Sequence, residues 1–340
     1  MTAPLDTNST HIPFDRLIAR LEEIFMETGA SNHVAQILSR NCAACERDGT
    51  LSHGVFRMPG YISSLRCGSV DGQAAPRMSR VSPAFLRVDA ANGFAQPALN
   101  HALPHIEAAI AECGVVVVAV RHSHHFSALW PDIEPFADKG LAALTMVTGG
   151  PAVMPRGASS RVLGTNPIAF ATPVDGSVPL IMDFATSAIS HGDLCIARNE
   201  GRRVPVGTGI GRDGRDTDDP GEILDEGGIL PFGGYKGAAL SILVEILASA
   251  LTGGPFSHEV DLSATPGAET PRTGQILILI DPKRGGNNAF GKRVSALVDL
   301  LRHSGMQRLP GDRRLEFRAR AARNGIPVSD GIRRLFTCMP

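Results

Sequence analysis

In Ser52-His53-Gly54-Val55-Phe56-Arg57 an imidazole and a guanidinium stand four positions apart. On a helix that spacing places both side chains on one face, where Arg57 can grip a carboxylate with a two-pronged hydrogen bond while His53 handles a proton beside it. Pro59 pushes the residues ahead of it away from helical angles, so the alignment requires a kink, and the segment reads equally well as a capped, solvated helix start.

Three further segments carry groups of the same kind. Asp183-Phe184-Ala185-Thr186-Ser187 ends an apolar strand and leads into Ile189-Ser190-His191-Gly192-Asp193. Polar groups in that position either overlook a cleft, with Asp193 orienting an imidazole, or cap a turn. Pro231-Phe232-Gly233-Gly234-Tyr235-Lys236-Gly237 is a glycine-rich turn opening an apolar helix, so its free N–H groups and Lys236 suit an anion. Arg308-Leu309-Pro310-Gly311-Asp312-Arg313-Arg314 gathers three guanidiniums around a turn, fit for a pyrophosphate or a 2'-phosphate, or else for a solvated basic tail.

Other patterns carry less. Gly209-Ile210-Gly211-Arg212-Asp213-Gly214 has the formal dinucleotide-binding spacing, but RDTDDPGE follows where a helix should open, so a hydrophilic loop is expected and any nicotinamide cofactor must be held without a Rossmann turn. Cys42 and Cys45 fall on the apolar face of a helix with no second pair, which points to buried structural thiols. His122-Ser123-His124-His125 lacks a nearby third ligand, so no metal is assigned, and polar contact with a cofactor just after the strand VVVVAV is the expectation.

Elements must hold these groups in place. Leu17, Leu21, Ile24 and Phe25 recur at helical spacing, Ser31 caps a second helix that Asp48-Gly49 stops, and Pro97 to Glu112 forms another helix ahead of Gly114 and VVVVAV. Helix Asp132–Lys139 leads into LAALTMV. The strands GTNPIAFATP and PLIMDFATS lie close enough to be antiparallel neighbours, and a helix Lys236–Leu251, a buried strand ILILID and a helix Arg293–Arg302 follow. Residues 68–83 and 200–230 are rich in turn formers. The first fifteen residues read as a disordered leader without a signal-peptide pattern.

The 340 residues exceed what one hydrophobic core usually serves, so two or three lobes with a cleft are expected. With 33 basic and 34 acidic residues, the chain has no field to draw nucleic acid or an anionic membrane. No apolar run approaches the roughly 20 residues a bilayer needs, and six scattered cysteines fit a reducing cytoplasm.

The order SHGVFRMPGY, RHSHHFSALWPD, LGTNPIAF, MDFATSAISHGD, LPFGGYKG and RLPGDRR resembles the second malate/L-lactate dehydrogenase family, nicotinamide-dependent oxidoreductases without a Rossmann fold. HHFSALWPD, SAISHGD and LPGDRR look most like its bacterial ketimine reductases, which act on Δ1-piperideine-2-carboxylate and Δ1-pyrroline-2-carboxylate to give L-pipecolate and L-proline. A 2-oxo acid reductase of the malate/lactate kind is the alternative, and a metal-binding or purely cofactor-binding regulatory protein is a third reading.

The resemblance implies an α/β fold: a non-Rossmann NADPH-binding domain with a mostly antiparallel sheet over residues 81–284, with an exposed insertion at 195–230, and a helical domain from both termini, 13–80 with 285–335. It implies a homodimer using NADPH, with NADH weaker, in the cytoplasm that the cysteine pattern already fits. By similarity His53 is the proton donor, held and polarised by Ser52 and Asp193. Arg57 binds the substrate carboxylate, with Thr165, His191 and Gly192 completing the pocket. NADPH lies against His125, Phe126, Ser127, Ala128 and Leu129, against Asp183, Phe184 and Ala185, against Gly234, Tyr235 and Lys236, and against Arg308, Leu309, Pro310, Gly311, Asp312 and Arg313.

Overall fold

A computed structural model describes residues 5, 9–286 and 288–337. Strand β1 (His11–Ile12) precedes helices α1 (Phe14–Glu27) and α2 (Asn32–Arg47). Of the expected leader, residues 1–4 and 6–8 lie outside the described residues, whereas Ile12 is buried in a short antiparallel pair with Ile326. On α1, Leu17, Leu21, Ile24 and Phe25 are fully buried, as the helical spacing requires. Truncating such a leucine to alanine typically costs about 2–5 kcal/mol. Ser31 caps α2 by accepting the Val34 N–H at 3.3 Å, and Cys42 and Cys45 are buried on its inner face.

Helix α3 (Met58–Arg66) is followed by β2 (Arg77–Ser82), β3 (Phe85–Asp89), α4 (Ala95–Cys113), β4 (Val115–His124), α5 (Trp130–Asp138), β5 (Ala142–Val147), β6 (Ile168–Thr172) and β7 (Leu180–Phe184). Strand β2 lies in the turn-rich stretch that gave no strand signal. All but one of its residues are exposed, so it is an edge strand without the apolar alternation that betrays a half-buried one. Gly114 ends α4 in the left-handed conformation at φ +73°.

Next come α6 (His191–Asn199), β8 (Gly209–Ile210), β9 (Asp216–Thr217), α7 (Pro220–Asp225), β10 (Gly228–Ile229), α8 (Tyr235–Val244), β11 (Arg272–Ile280), α9 (Phe290–His303), α10 (Asp312–Asn324), β12 (Ile326–Pro327) and α11 (Asp330–Thr337). The expected helix to Leu251 changes form: α8 gives way to a π-helical turn over Glu245–Ala250. Residues 195–230 are not a plain exposed insertion, nor is the GxGxxG segment a plain loop. Strands β8, β9 and β10 pair antiparallel, and Val204, Ile223 and Ile229 join Leu194 in a small core. Turn residues dominate that composition, and the few apolar side chains between them are too widely spaced to show a period.

Seven strands form the main sheet in the order β2-β3-β4-β11-β5-β6-β7. Only β3 and β4 pair in parallel, so the sheet is mostly antiparallel. Side chains alternate across it. Val116, Val118, Val120, Leu277 and Leu279 pack with α4 and α5 on one face, while Val117, Ile276 and Ile278 meet Val244 and Ala248 on the other. A separate core joins α1, α2 and α3 to Ile326 and Ile332 near the other end of the chain.

Candidate active site

The end of α2 sets the site. The chain leaves Gly49 at φ +71° and makes two 3-10 turns, Leu51–His53 and Val55–Arg57, separated at Gly54, before α3 begins with Pro59 in its first turn. A Cβ at Gly54 would lie 3.0 Å from the Glu46 nitrogen, so only glycine lets the chain cross α2 so closely. The Val55 N–H donates to Glu46 Oε2 at 2.9 Å. The kink that Pro59 demands is thus this break, and His53 and Arg57 still face one cavity.

That cavity, of about 700 Å³, is lined by His53, Phe56, Arg57, His125, Phe126, Thr148, Gly149, Gly150, Thr165, His191, Cys195 and Glu269, among others. A second cleft, of about 670 Å³, runs from His53 along Ser127–Trp130, Thr165 and Ile181–Ala185 to Arg308, Pro310, Gly311, Arg313 and Arg314. His53, Ser127, Thr165 and Pro167 border both. The imidazole therefore stands where two chambers meet.

Ser52 Oγ and His53 Nδ1 are 3.1 Å apart in hydrogen-bonding contact, which leaves Nε2 as the working nitrogen. Burial, then the neighbouring Arg57 guanidinium, holds the imidazole well below its usual range, so it is neutral in the free protein. Arg57 stacks on Phe126 at 4.3 Å, and its Nε is buried with no hydrogen-bond partner among the described residues. A buried guanidinium so poorly compensated favours an anionic ligand. Gly192 backs it closely: a Cβ there would lie 3.0 Å from Arg57 Nη2 and 2.9 Å from the Ser52 carbonyl. His191 is pulled down to about 4 by burial and then by Arg57.

Asp193 borders the second cleft but takes the Ser190 hydroxyl at 2.8 Å, closing the first turn of α6; the structure shows no hydrogen bond from it to His53. Asp183, pushed up by burial, accepts the Leu129 and Trp130 N–H groups at 2.9 Å each and so fixes the start of α5 against the cleft. Arg318 joins Asp48 at the end of α2 to Glu134 on α5, at 2.9 Å to each, and holds the walls together.

Of the residues expected along the cofactor, Ser127, Ala128, Leu129, Asp183, Phe184, Ala185, Arg308, Pro310, Gly311 and Arg313 line this second cleft. The others do not. His125 and Phe126 face the Arg57 chamber, His125 because its Nε2 is bound to the buried Asp132 at 2.8 Å. Leu309 is buried, and Asp312 turns inward to take the Leu309 N–H at 2.8 Å. Gly234, Tyr235 and Lys236 are exposed at the start of α8 and border neither chamber. Phe232, just ahead of that turn, packs with its ring 6.0 Å from that of Phe184 in the cleft wall.

Sequence reasoning missed several participants. Glu46 looks like any helix glutamate. Asn166, in the quoted GTNP segment, is buried at φ +41° and donates to Glu245 Oε1 at 2.7 Å and Ser241 Oγ at 2.9 Å. The signal was present: a glutamate inside an otherwise apolar helix needs a buried partner. His122, His124 and His125 diverge to Asp89, Thr270 and Asp132 respectively.

The cleft's fit to a nicotinamide dinucleotide rests on its own donors. Arg308 and Arg313 line one end with no hydrogen bond or ion pair among the described residues, and Gly311 is left-handed at φ +89° in the turn they flank. Such a set suits phosphate oxygens.

Comparison with known proteins places this geometry. The family model for malate/L-lactate dehydrogenase matches residues 12–335. A Δ1-pyrroline-2-carboxylate/Δ1-piperideine-2-carboxylate reductase of Pseudomonas syringae pv. tomato is 52% identical over 95% of this chain and 94% of its own. A protein of the same description from Pseudomonas putida is 49% identical over 97% of both. The crystal structure of Δ1-piperideine-2-carboxylate reductase from P. syringae superposes with a TM-score of 0.93, at 51% identity over 96% of this chain and 99% of that one. Such a family implies a nicotinamide cofactor. A match over nearly the whole chain shows that this protein belongs to the malate/L-lactate dehydrogenase family of oxidoreductases.

Proposed function

We propose that the protein reduces the cyclic ketimines Δ1-piperideine-2-carboxylate and Δ1-pyrroline-2-carboxylate to L-pipecolate and L-proline, using NADPH in preference to NADH. The observation that carries this reading is the meeting of Arg57, unpaired at Nε, and His53 in one chamber that opens, at His53, onto a cleft ending in free guanidiniums. Two relatives about half identical to this chain are named for these two substrates.

The bound cofactor supplies a hydride. The chain's residues do the rest. Arg57 clamps the substrate carboxylate and thereby fixes which face of the C=N carbon meets the hydride. Anion binding at Arg57 also cancels part of the field that keeps His53 neutral, so carboxylate binding and imidazole protonation favour one another. Protonated His53 then supplies or maintains the proton on the ring nitrogen, which makes the neighbouring carbon more electrophilic. Ser52 orients the imidazole, Asp193 adds negative charge near Arg57, and Thr165, His191 and Gly192 close the chamber. Arg308 and Arg313, with Pro310 and Gly311 shaping their turn, suit the extra phosphate of NADPH.

We also propose a cytoplasmic homodimer whose subunits divide into residues 13–80 with 285–335 and residues 81–284. The outer face of α8 and its π turn exposes Ile242, Leu243, Ile246 and Leu251, and α9 buries none of its residues, leaving Leu297 and Leu300 open. We propose that a second copy covers these exposed apolar side chains. Among the described residues five cysteines are free and no helix is long and apolar enough to cross a membrane.

The clamp and the proton donor would also serve a 2-oxo acid, and the family description favours that second reading. NADPH and NADH oxidation measured with both cyclic imines and with pyruvate tests the two. The imines turning over well above pyruvate, and faster with NADPH, is the expected result. Pyruvate turning over while both imines fail would overturn the ketimine reading.

A further inference from the structure

We infer that Gly149 and Gly150 determine ring size: the absence of side chains there makes room for the six-membered substrate. The inference rests on the ketimine reading and assigns residues to its selectivity. Both glycines line the Arg57 chamber. Neither has the positive φ that would demand glycine. A Cβ at Gly149 would meet nothing closer than Thr165 Oγ1 at 4.0 Å, and one at Gly150 nothing closer than Val260 Cγ1 at 3.9 Å. Gly192 in the same site differs, because a Cβ there would press on the Ser52 carbonyl at 2.9 Å. Backbone strain explains neither Gly149 nor Gly150, and packing within the chain does not either. What a methyl group would occupy is chamber space.

The segment is also unable to draw back from such a methyl. The Thr148 hydroxyl accepts from Ser249 Oγ at 3.1 Å, anchoring the residue before Gly149 to the π turn. The Gly149 N–H points to Asn166 Oδ1 at 3.4 Å, and Asn166 is tied to Glu245 and Ser241. Pro151 stiffens the other side. With the carboxylate fixed by Arg57 and the ring nitrogen beside His53, the methylene that distinguishes the two rings must lie on a wall free of both residues. Gly149 and Gly150 supply such a wall.

The test is the ratio of kcat/KM for Δ1-piperideine-2-carboxylate to that for Δ1-pyrroline-2-carboxylate, in the wild type, Gly149→Ala and Gly150→Ala. One methylene in a shaped pocket is worth about tenfold to 200-fold in selectivity, so Gly149→Ala should lower the ratio by about tenfold or more, mainly through the larger substrate. Gly150→Ala should move it in the same direction and supplies the reading if Gly149→Ala fails to fold. An unchanged ratio, or equal losses on both rings, overturns the inference. Wild-type inactivity on both imines would instead sink the ketimine reading, before any variant is compared.

Discussion

Glu46 Oε2 accepts the Val55 amide at 2.9 Å, so a buried carboxylate on α2 holds the chain midway between His53 and Arg57. Burial pushes that carboxyl up to about 7 from an ordinary 4.5, against the opposing pull of the Val55 bond. Between those values the folded protein keeps a proton that the unfolded chain releases, so stability falls as pH rises through the window, by roughly 3 kcal/mol at most.

Glu46→Gln removes the ionisation and keeps an acceptor of the same shape. Denaturant unfolding at pH 4 should show little difference between variant and wild type, and at pH 8 the variant should be more stable by about 2 kcal/mol. A difference that does not change with pH would contradict the placement of Glu46.

Arg57→Lys leaves a positive charge but not a planar fork. Charge-assisted hydrogen bonds are worth about 1.5–3 kcal/mol, so KM for the cyclic imine should rise by roughly tenfold to a hundredfold while NADPH affinity stays within about twofold. Steady-state kinetics and fluorescence titration with NADPH measure the two effects. An unchanged KM would count against the clamp.

The reciprocity between Arg57 and His53 has a signature in pH profiles. In the free protein, burial and the Arg57 charge depress the imidazole, so the basic limb of kcat/KM, where the acid form is lost as pH rises, should lie below about 6.5. A bound carboxylate offsets the guanidinium, and the corresponding limb of kcat should lie at higher pH. Coincident limbs would mean that the two side chains are not electrostatically linked.

Much of the scaffold was legible because it obeys local rules. The burial of Leu17 and Leu21, the Ser31 cap, Gly114 after α4 and the antiparallel neighbours β6 and β7 all follow from spacing and turn chemistry. His53 and Arg57 were legible as a pair, but not the means of holding them. The break at Gly54 depends on its fit against Glu46, eight residues earlier, and that contact has no periodic signature. Asn166 finds Glu245 across 79 positions, and Trp130 receives Arg314 at 4.9 Å from the far end of the chain. Partners so remote in sequence also explain Phe126, whose ring lies under Arg57 instead of along the second cleft.

The most direct test of the account is single-turnover reduction of Δ1-piperideine-2-carboxylate by NADPH, followed by loss of nicotinamide absorbance in the wild type and in His53→Ala. A positioned proton donor typically contributes 10² to 10⁴ in rate, so the variant should bind NADPH with nearly unchanged affinity and react slower by about that factor. A variant that reacts at the wild-type rate would remove His53 from the chemistry and, with it, the joint role assigned to the two side chains.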